Sequence, residues 1–418
     1  MTNSWTGGQY SLFRAAFGAH LCVQLAILLR SGTEIFSDPG MRAESPLSPL
    51  LGYFPNPLFV WDSPTAVNAI LALAILASVA FTIGRWDRIA AIVLVYVGAC
   101  LFSRNPLISD PGPFLVAAIL LGHAVLPTKP FGSWDARERS DPGGDWRMPD
   151  WIYSTAWIAL GAAYVFVGVT KAMSPEWMHG AALAHALETP RASPNFVSET
   201  LAAAPPLLLS IATWAGLLGQ LLFAPLALFA RIRPWLWLVS LAMNLGAALF
   251  IDVSQQSAGL MLLHCFTFDP GWIGPRVDRG PTRVFYDGTC GLCHHTVRFL
   301  LAEDPDGERF RFAPIESQAF QAAIGEPGSG FEVDDEIPDS VLVARAGEPI
   351  LVRAEGALAL GQQLGGLWRI MATLGAVVPL QLLNVAYDFI ARIRHRLFAK
   401  PASDCPLVPP SLQKRFLR

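Results

Sequence analysis

Apolar runs long enough to cross a hydrocarbon layer recur from the first residues to about position 268, and a backbone crossing a bilayer this way must satisfy its polar groups as helices. We read helices near 12–30, 66–84, 88–104, 113–127, 151–171, 206–230, 234–252 and 256–269, about eight spans, of which the fourth and eighth are short. Proline-rich or polar stretches separate them: Asp38-Pro39-Gly40, Ser63-Pro64, Asn105-Pro106, Pro127–Pro149 and Thr189–Pro206. Composition agrees, with 53% hydrophobic and 15% charged residues, against roughly 25% charged in an ordinary soluble domain. A net charge of −3 gives no reason to expect nucleic acid as a partner. Met1–Tyr10 carries no positive charge and no convincing small-residue cleavage site follows, so the first apolar run is expected to be retained rather than removed as a signal.

Basic residues fall unevenly across these helices. Twelve, among them Arg85, Arg88, Lys129, Arg137 and Arg231, collect on one side, and five, among them Arg30, Arg104 and Lys171, on the other. The positive-inside rule then places both chain ends in the cytoplasm and the loops 31–65 and 172–205 outside, as in a multi-pass protein of a bacterial inner membrane.

From Pro270 the composition changes, which divides the chain into a membrane domain over 1–270, a Gly/Pro/Arg linker over 271–282 and a soluble domain over 283–410. Arg283–Asp287 reads as a strand, and Cys290–Glu303 as a helix with Val297, Leu300 and Leu301 on one face, stopped by Asp304-Pro305. A second strand is expected at Phe310–Ala313, a hairpin from Ser340–Ala344 to Ile350–Arg353, and a helix at Ala354–Gln363. Strand–helix–strand followed by hairpin–helix is the thioredoxin order. The fold expected is therefore an α-helical polytopic membrane bundle of about eight spans followed by an α/β thioredoxin-like domain. Leu367–Leu383 is apolar enough for a ninth span, but Trp368, Arg369 and Pro379 suit a helix packed on the domain or lying on the membrane better.

Of the six cysteines, Cys22, Cys100 and Cys265 lie in apolar stretches, where a thiol behaves as a small hydrophobe, and Cys405 stands alone. Cys290 and Cys293 form the one close pair, reached from the strand through Tyr286-Asp287-Gly288-Thr289 and opening the next helix. A thiol at a helix start faces unpaired N–H groups and the positive end of the dipole, which stabilise its thiolate. Cys290 is thus the expected nucleophile and the more exposed of the two, with Cys293 one turn later to resolve a mixed disulfide. His294 and His295 either add positive charge or face solvent. A CxxC is also half of a zinc site, although no second Cys/His pair has suitable spacing, and Cys290–His294 matches the C-x-x-C-H of covalent haem attachment. Spacing leaves these readings open; the strand–Gly–CxxC–helix setting favours redox use and gives no metal. Pro338, just before the hairpin, is either a cis-proline packed on the pair or an ordinary loop proline.

Phe285-Tyr286-Asp287-Gly288-x-Cys290-x-x-Cys293 resembles the signature of the DCC family of thiol–disulfide oxidoreductases, named for DxxCxxC. Ile337-Pro338-Asp339-Ser340, the run Ala386–Arg394 and Cys405-Pro406 are similar to later parts of that family, so the resemblance covers about 283–410. It implies a membrane-anchored thiol–disulfide oxidoreductase acting on a thiol- or disulfide-containing protein or small molecule, with Asp287 as a motif residue capping the turn before the cysteines.

Polar residues inside the spans include Gln24, His123, Lys171, Gln220, Asn244, Asp252 and His264, and for most of them helix–helix hydrogen bonding is the simpler role. By composition alone Lys171, at a span end, snorkels to the interface. Yet Gly168-Val169-Thr170-Lys171, with Trp177 and Gly180 beyond, resembles the HTTM domain shared with vitamin K-dependent gamma-carboxylases. Arg14, Ser37-Asp38-Pro39-Gly40 and Ser133-Trp134-Asp135-Ala136 are also similar, and the resemblance covers about 10–270. It implies that Lys171 is a base for hydroquinone deprotonation, with a membrane quinone as cofactor and the DCC part as electron donor. Asn105–Pro113 departs from the carboxylases in lacking their histidine, and their large substrate-binding domain is replaced by the DCC part. Carboxylase-like chemistry is therefore the alternative to disulfide exchange, and a non-catalytic scaffold the third reading.

Overall fold

The computed structural model of the chain describes all residues except 39, 41–54, 106–111, 138, 140, 191, 251–254, 277–279, 332–339, 398–407 and 418. All eight expected helices are present. They are α1 (Gly7–Phe36), α2 (Pro64–Ile83), α3 (Asp87–Arg104), α4 (Gly112–Val125) and α5 (Asp150–Ala172), then, after the short α6 (Pro175–Met178), α7 (Ala182–Glu188) and α8 (Phe196–Ala202), α9 (Pro206–Ala227), α10 (Arg233–Phe250) and α11 (Gln255–Thr267). Among the described residues, however, only α1, α2, α5 and α9 are long and apolar enough to cross a membrane, or five spans if a bent helix pair near the C-terminus counts as one. The expectation of about eight spans narrows accordingly. Helix α3 carries Asp87, Arg88 and Arg104. Within the described residues α4 and α11 cover 14 and 13 residues, about 20 Å against a hydrocarbon core of about 30 Å.

The chain divides into two compact units: residues 1–2, 13–126 and 149–268, and residues 3–12, 127–148 and 269–418. In the first, α5 packs on α9 and α11, and α3 lies between α2 and α4. Local signals set the helix ends. Ser63 caps α2 by accepting from the Ala66 N–H, Pro64 opens it, and Gly84 ends it in the left-handed conformation at φ 73°. A Cβ at Gly84 would also strike the guanidinium of Arg14, so two constraints select glycine there. At Gly168 the missing side chain lets α9 approach through Leu221.

The second unit is built on a three-stranded mixed sheet of β1 (Thr282–Tyr286), β2 (Phe310–Pro314) and β3 (Leu342–Ala344) in the order β2-β1-β3. Strand β1 runs parallel to β2, with Val284 opposite Phe312, and antiparallel to β3, with Val284 opposite Val343. Helix α12 (Gly291–Glu303) connects β1 to β2; α13 (Gln318–Ile324) follows β2, then come α14 (Arg353–Leu364), α15 (Gly366–Gly375), α16 (Leu380–Leu397) and α17 (Pro410–Gln413). Alternation along the strands sorts the core onto two faces. Val284, Tyr286, Phe310, Phe312 and Val343 pack with Cys290, Cys293, Val297 and Leu300 on one face. Phe285, Ala313, Leu342 and Ala344 pack with Phe320 and Ile350 on the other.

Two expectations for this unit change. The hairpin reduces to one bridge, in which Val343 and Leu351 exchange N–H···O bonds of 2.9 Å each. The apolar run 367–383 is not one helix: α15 and α16 meet at 115°, with Pro379 at the break.

Candidate functional site

Strand β1 delivers the chain to the Asp287–Thr289 turn, where Asp287 Oδ1 accepts from both the Thr289 N–H (2.7 Å) and its hydroxyl (2.8 Å). The Asp287 carbonyl accepts from the Cys290 N–H at 3.2 Å. This places Cys290 as the capping residue of α12, with extended backbone (φ −97°, ψ 116°), its sulfur accepting from the Cys293 N–H at 3.3 Å. The thiol thus sits on the unpaired donors of the helix start.

The surroundings correct two expectations. Cys290 is not the exposed cysteine: it is 0% exposed and Cys293 2%, because the sulfur folds back over the first turn of α12 into the cluster around Val284 and Tyr286. Nor does His294 face solvent. It is buried, its Nε2 bonds the Gly288 carbonyl at 2.9 Å and its ring meets Tyr286 edge-on, so it pins the glycine turn, while His295 is exposed.

The two thiols differ electrostatically. A hydrogen bond from Cys293 draws the Cys290 thiol down to about 6 in spite of burial, helped by the Cys293 N–H and the charge of Arg394, and opposed by Asp287. Cys293 moves the other way, since it donates to Cys290 and is itself desolvated. The pair thus favours the thiolate on Cys290 and the proton on Cys293. Beside Cys293 opens a cavity of about 120 Å³ lined by Leu292, Thr296, Val341, Leu360, Tyr387 and Arg394. Arg394 ends the family-like run Ala386–Arg394, but nothing in the sequence set it apart from Arg392.

At its other end α12 finishes on Glu303, which is 2% exposed. Its carboxylate accepts from the Thr6 hydroxyl, the Gly8 N–H (2.8 Å) and the Trp368 indole, and burial pushes its pKa above the usual carboxylate range. Nothing local in the sequence marks Glu303.

Pro338, Asp252 and Cys405 lie outside the described residues. Lys171 belongs to the first unit and the cysteine pair to the second. Lys171 ends α5 half-buried, with Nζ 4.0 Å from the centre of the Trp177 ring on α6. Three other polar residues of the membrane part, His123, Asn244 and His264, have polar partners. Asn244 donates to the Tyr164 hydroxyl at 2.6 Å, and that hydroxyl bonds His264 Nε2. Asp87, which sequence reading passed over, receives Arg14 at 3.2 Å and His123 at 3.5 Å. Among the described residues no group of three or more His, Cys, Asp or Glu is arranged to hold a metal ion.

Comparison with known proteins identifies both parts. A family model described as the HTTM domain matches residues 11–272. A second, described as DCC1-like thiol-disulfide oxidoreductase, matches residues 284–400. The uncharacterized protein YuxK of Bacillus subtilis (strain 168) is 33% identical over 138 residues, which is 33% of this chain and 95% of that protein. No solved structure matches the chain. The apolar helices and the first match make this a membrane protein, and the second supports a thiol–disulfide redox role with thiol-containing partners. The chain belongs to the HTTM-domain family and carries, behind that domain, a DCC1-like thiol-disulfide oxidoreductase domain.

Proposed function

We propose that the chain is a membrane-anchored thiol–disulfide oxidoreductase in which Cys290 attacks and Cys293 resolves. The observation that carries this reading is the Cys290 sulfur, held at the start of α12 by the Cys293 N–H and ionised in preference to its neighbour. The Cys290 thiolate attacks one sulfur of a partner disulfide, forming a mixed disulfide and expelling the other sulfur as a thiolate, which takes up a proton. Cys293 then loses its proton and attacks Cys290 Sγ, closing the Cys290–Cys293 disulfide and releasing the second partner thiol. Two electrons pass to the partner; a dithiol acting in the reverse sense resets the pair. Asp287 shapes the turn that presents Cys290, and Pro338 is the residue we assign to the loop facing the pair. We assign the redox part, 283–410, a thioredoxin-like fold, joined by 271–282 to a membrane domain over 1–270 with up to eight spans. We place the chain in a bacterial inner membrane; the basic-residue bias supports the redox part on its cytoplasmic side.

The test is covalent trapping. Cys293→Ser should accumulate mixed disulfides through Cys290, and adding Cys290→Ser should abolish them; equal trapping in both sinks the assignment.

A second reading is favoured by the HTTM match, which spans Lys171. Lys171 would act as a base toward a bound hydroquinone, and its contact with Trp177, which stabilises the ammonium, would have to open first. Quinone retained on purification and lost in Lys171→Ala would support it; retention unchanged in Lys171→Ala would count against it.

A further inference from the structure

We infer that Arg394 is the buried counter-charge of the redox pair, a positioning residue that α16 supplies to hold the Cys290 sulfur ionised and ready for attack. The inference rests on the disulfide-exchange reading above and adds a residue to it.

Three observations carry it. Arg394 is only 3% exposed and shares the cavity beside α12 with Cys293. Tyr387, Ile390, Ala391 and Arg394, spaced i, i+3, i+4 and i+7, present one face of α16 to that cavity. The Tyr387 hydroxyl fastens this face to the sheet side by accepting from the Val341 N–H at 3.2 Å.

Several other charged or titratable groups near the pair have partners among the described residues. Asp287 is bonded to Thr289, His294 to the Gly288 carbonyl, and the half-exposed Arg353 at the start of α14 to Asp388 at 3.6 Å. The positive charge that falls on both sulfurs is that of Arg394, which lowers each. A thiolate beside a buried cation is stabilised by it, and the pair carries that negative charge only in the dithiol state. Oxidation to the neutral disulfide removes that attraction. Arg394 therefore stabilises the reduced form and makes the pair a stronger oxidant.

The experiment uses the full-length protein in detergent, with iodoacetamide labelling of Cys290 followed by peptide mass analysis across pH. Arg394→Met is expected to move the midpoint of labelling upward by about one pH unit. The rate at alkaline pH should not fall, since a thiolate of higher basicity is at least as nucleophilic. Arg394→Lys should stay near the wild-type midpoint. In a glutathione redox titration, Arg394→Met should make the pair more reducing. An unchanged midpoint in Arg394→Met, or an equal shift in Arg394→Lys, overturns the inference. If instead wild-type Cys290 titrates as an ordinary thiol, or trapping does not need Cys290, it is the exchange reading itself that falls.

Discussion

Cys290 and Glu303 close the two ends of α12, and burial acts on them in opposite electrostatic contexts. The Cys290 thiol is lowered to about 6, so the folded reduced protein binds fewer protons than its unfolded chain between that value and the ordinary thiol range. The resulting stabilisation is full above the ordinary range and is lost as pH falls toward about 6. The melting-temperature advantage of reduced wild type over Cys290→Ser should therefore shrink steadily on acidification, as differential scanning calorimetry can follow. Glu303 runs the other way. Its raised pKa means the folded protein binds more protons than the unfolded one, so its contribution declines as pH rises above the usual carboxylate range. Relative to Glu303→Gln, which never ionises, the wild type should lose stability with rising pH. Glu303→Ala removes the acceptor from three donors of the same unit and should cost about 1–3 kcal/mol per stranded buried donor, read by thermal or denaturant unfolding.

At the scale of elements, Gly84 is the sharpest point for a test. Alanine there meets both a left-handed backbone and the Arg14 guanidinium, and it should destabilise the α2–α3 corner by more than about 1 kcal/mol, visible as a lower melting temperature. Such corners were legible because Ser63-Pro64 and Gly84 act locally. The α12 helix was legible for the same reason, its start marked by the Gly288 turn and its stop by Asp304-Pro305. Helix α13 was not foreseen: it has seven residues, and its cap, Ser317, lies in a stretch with weak apolar periodicity. The hairpin was overestimated because β3 has only three residues and pairs mainly with β1, a partner remote in sequence. The position of the site on α12 followed from the CxxC spacing and its setting, whereas its electrostatics did not. Arg394 and the partners of Glu303 come from distant parts of the chain, and no local pattern announces a contact of that range.

For the whole molecule, the eight long helices of the membrane part were readable and the number of spans was not, since among the described residues α3, α4, α10 and α11 fall short in length, hydropathy or charge. The proposed orientation makes a direct prediction for impermeant thiol labelling in intact cells, on a background without the native cysteines. Thr189→Cys should react from outside, and Asp306→Cys only after permeabilisation; the reverse pattern would invert the topology. The second unit also sets a limit on dissection. A fragment of residues 269–418 lacks Thr6, Gly8 and Gln9, which bond Glu303 and the Leu367 N–H, and should unfold at a lower temperature than the same region in the full chain. Assembly of that unit from three stretches has a consequence for biosynthesis. Residues 3–12 leave the ribosome before helices α2 to α11, yet their partners at Glu303 and Leu367 are made only after those helices. Residues 3–12 must therefore wait while the intervening helices are made, and the redox unit reaches its final form only once residues 269–418 have been synthesised.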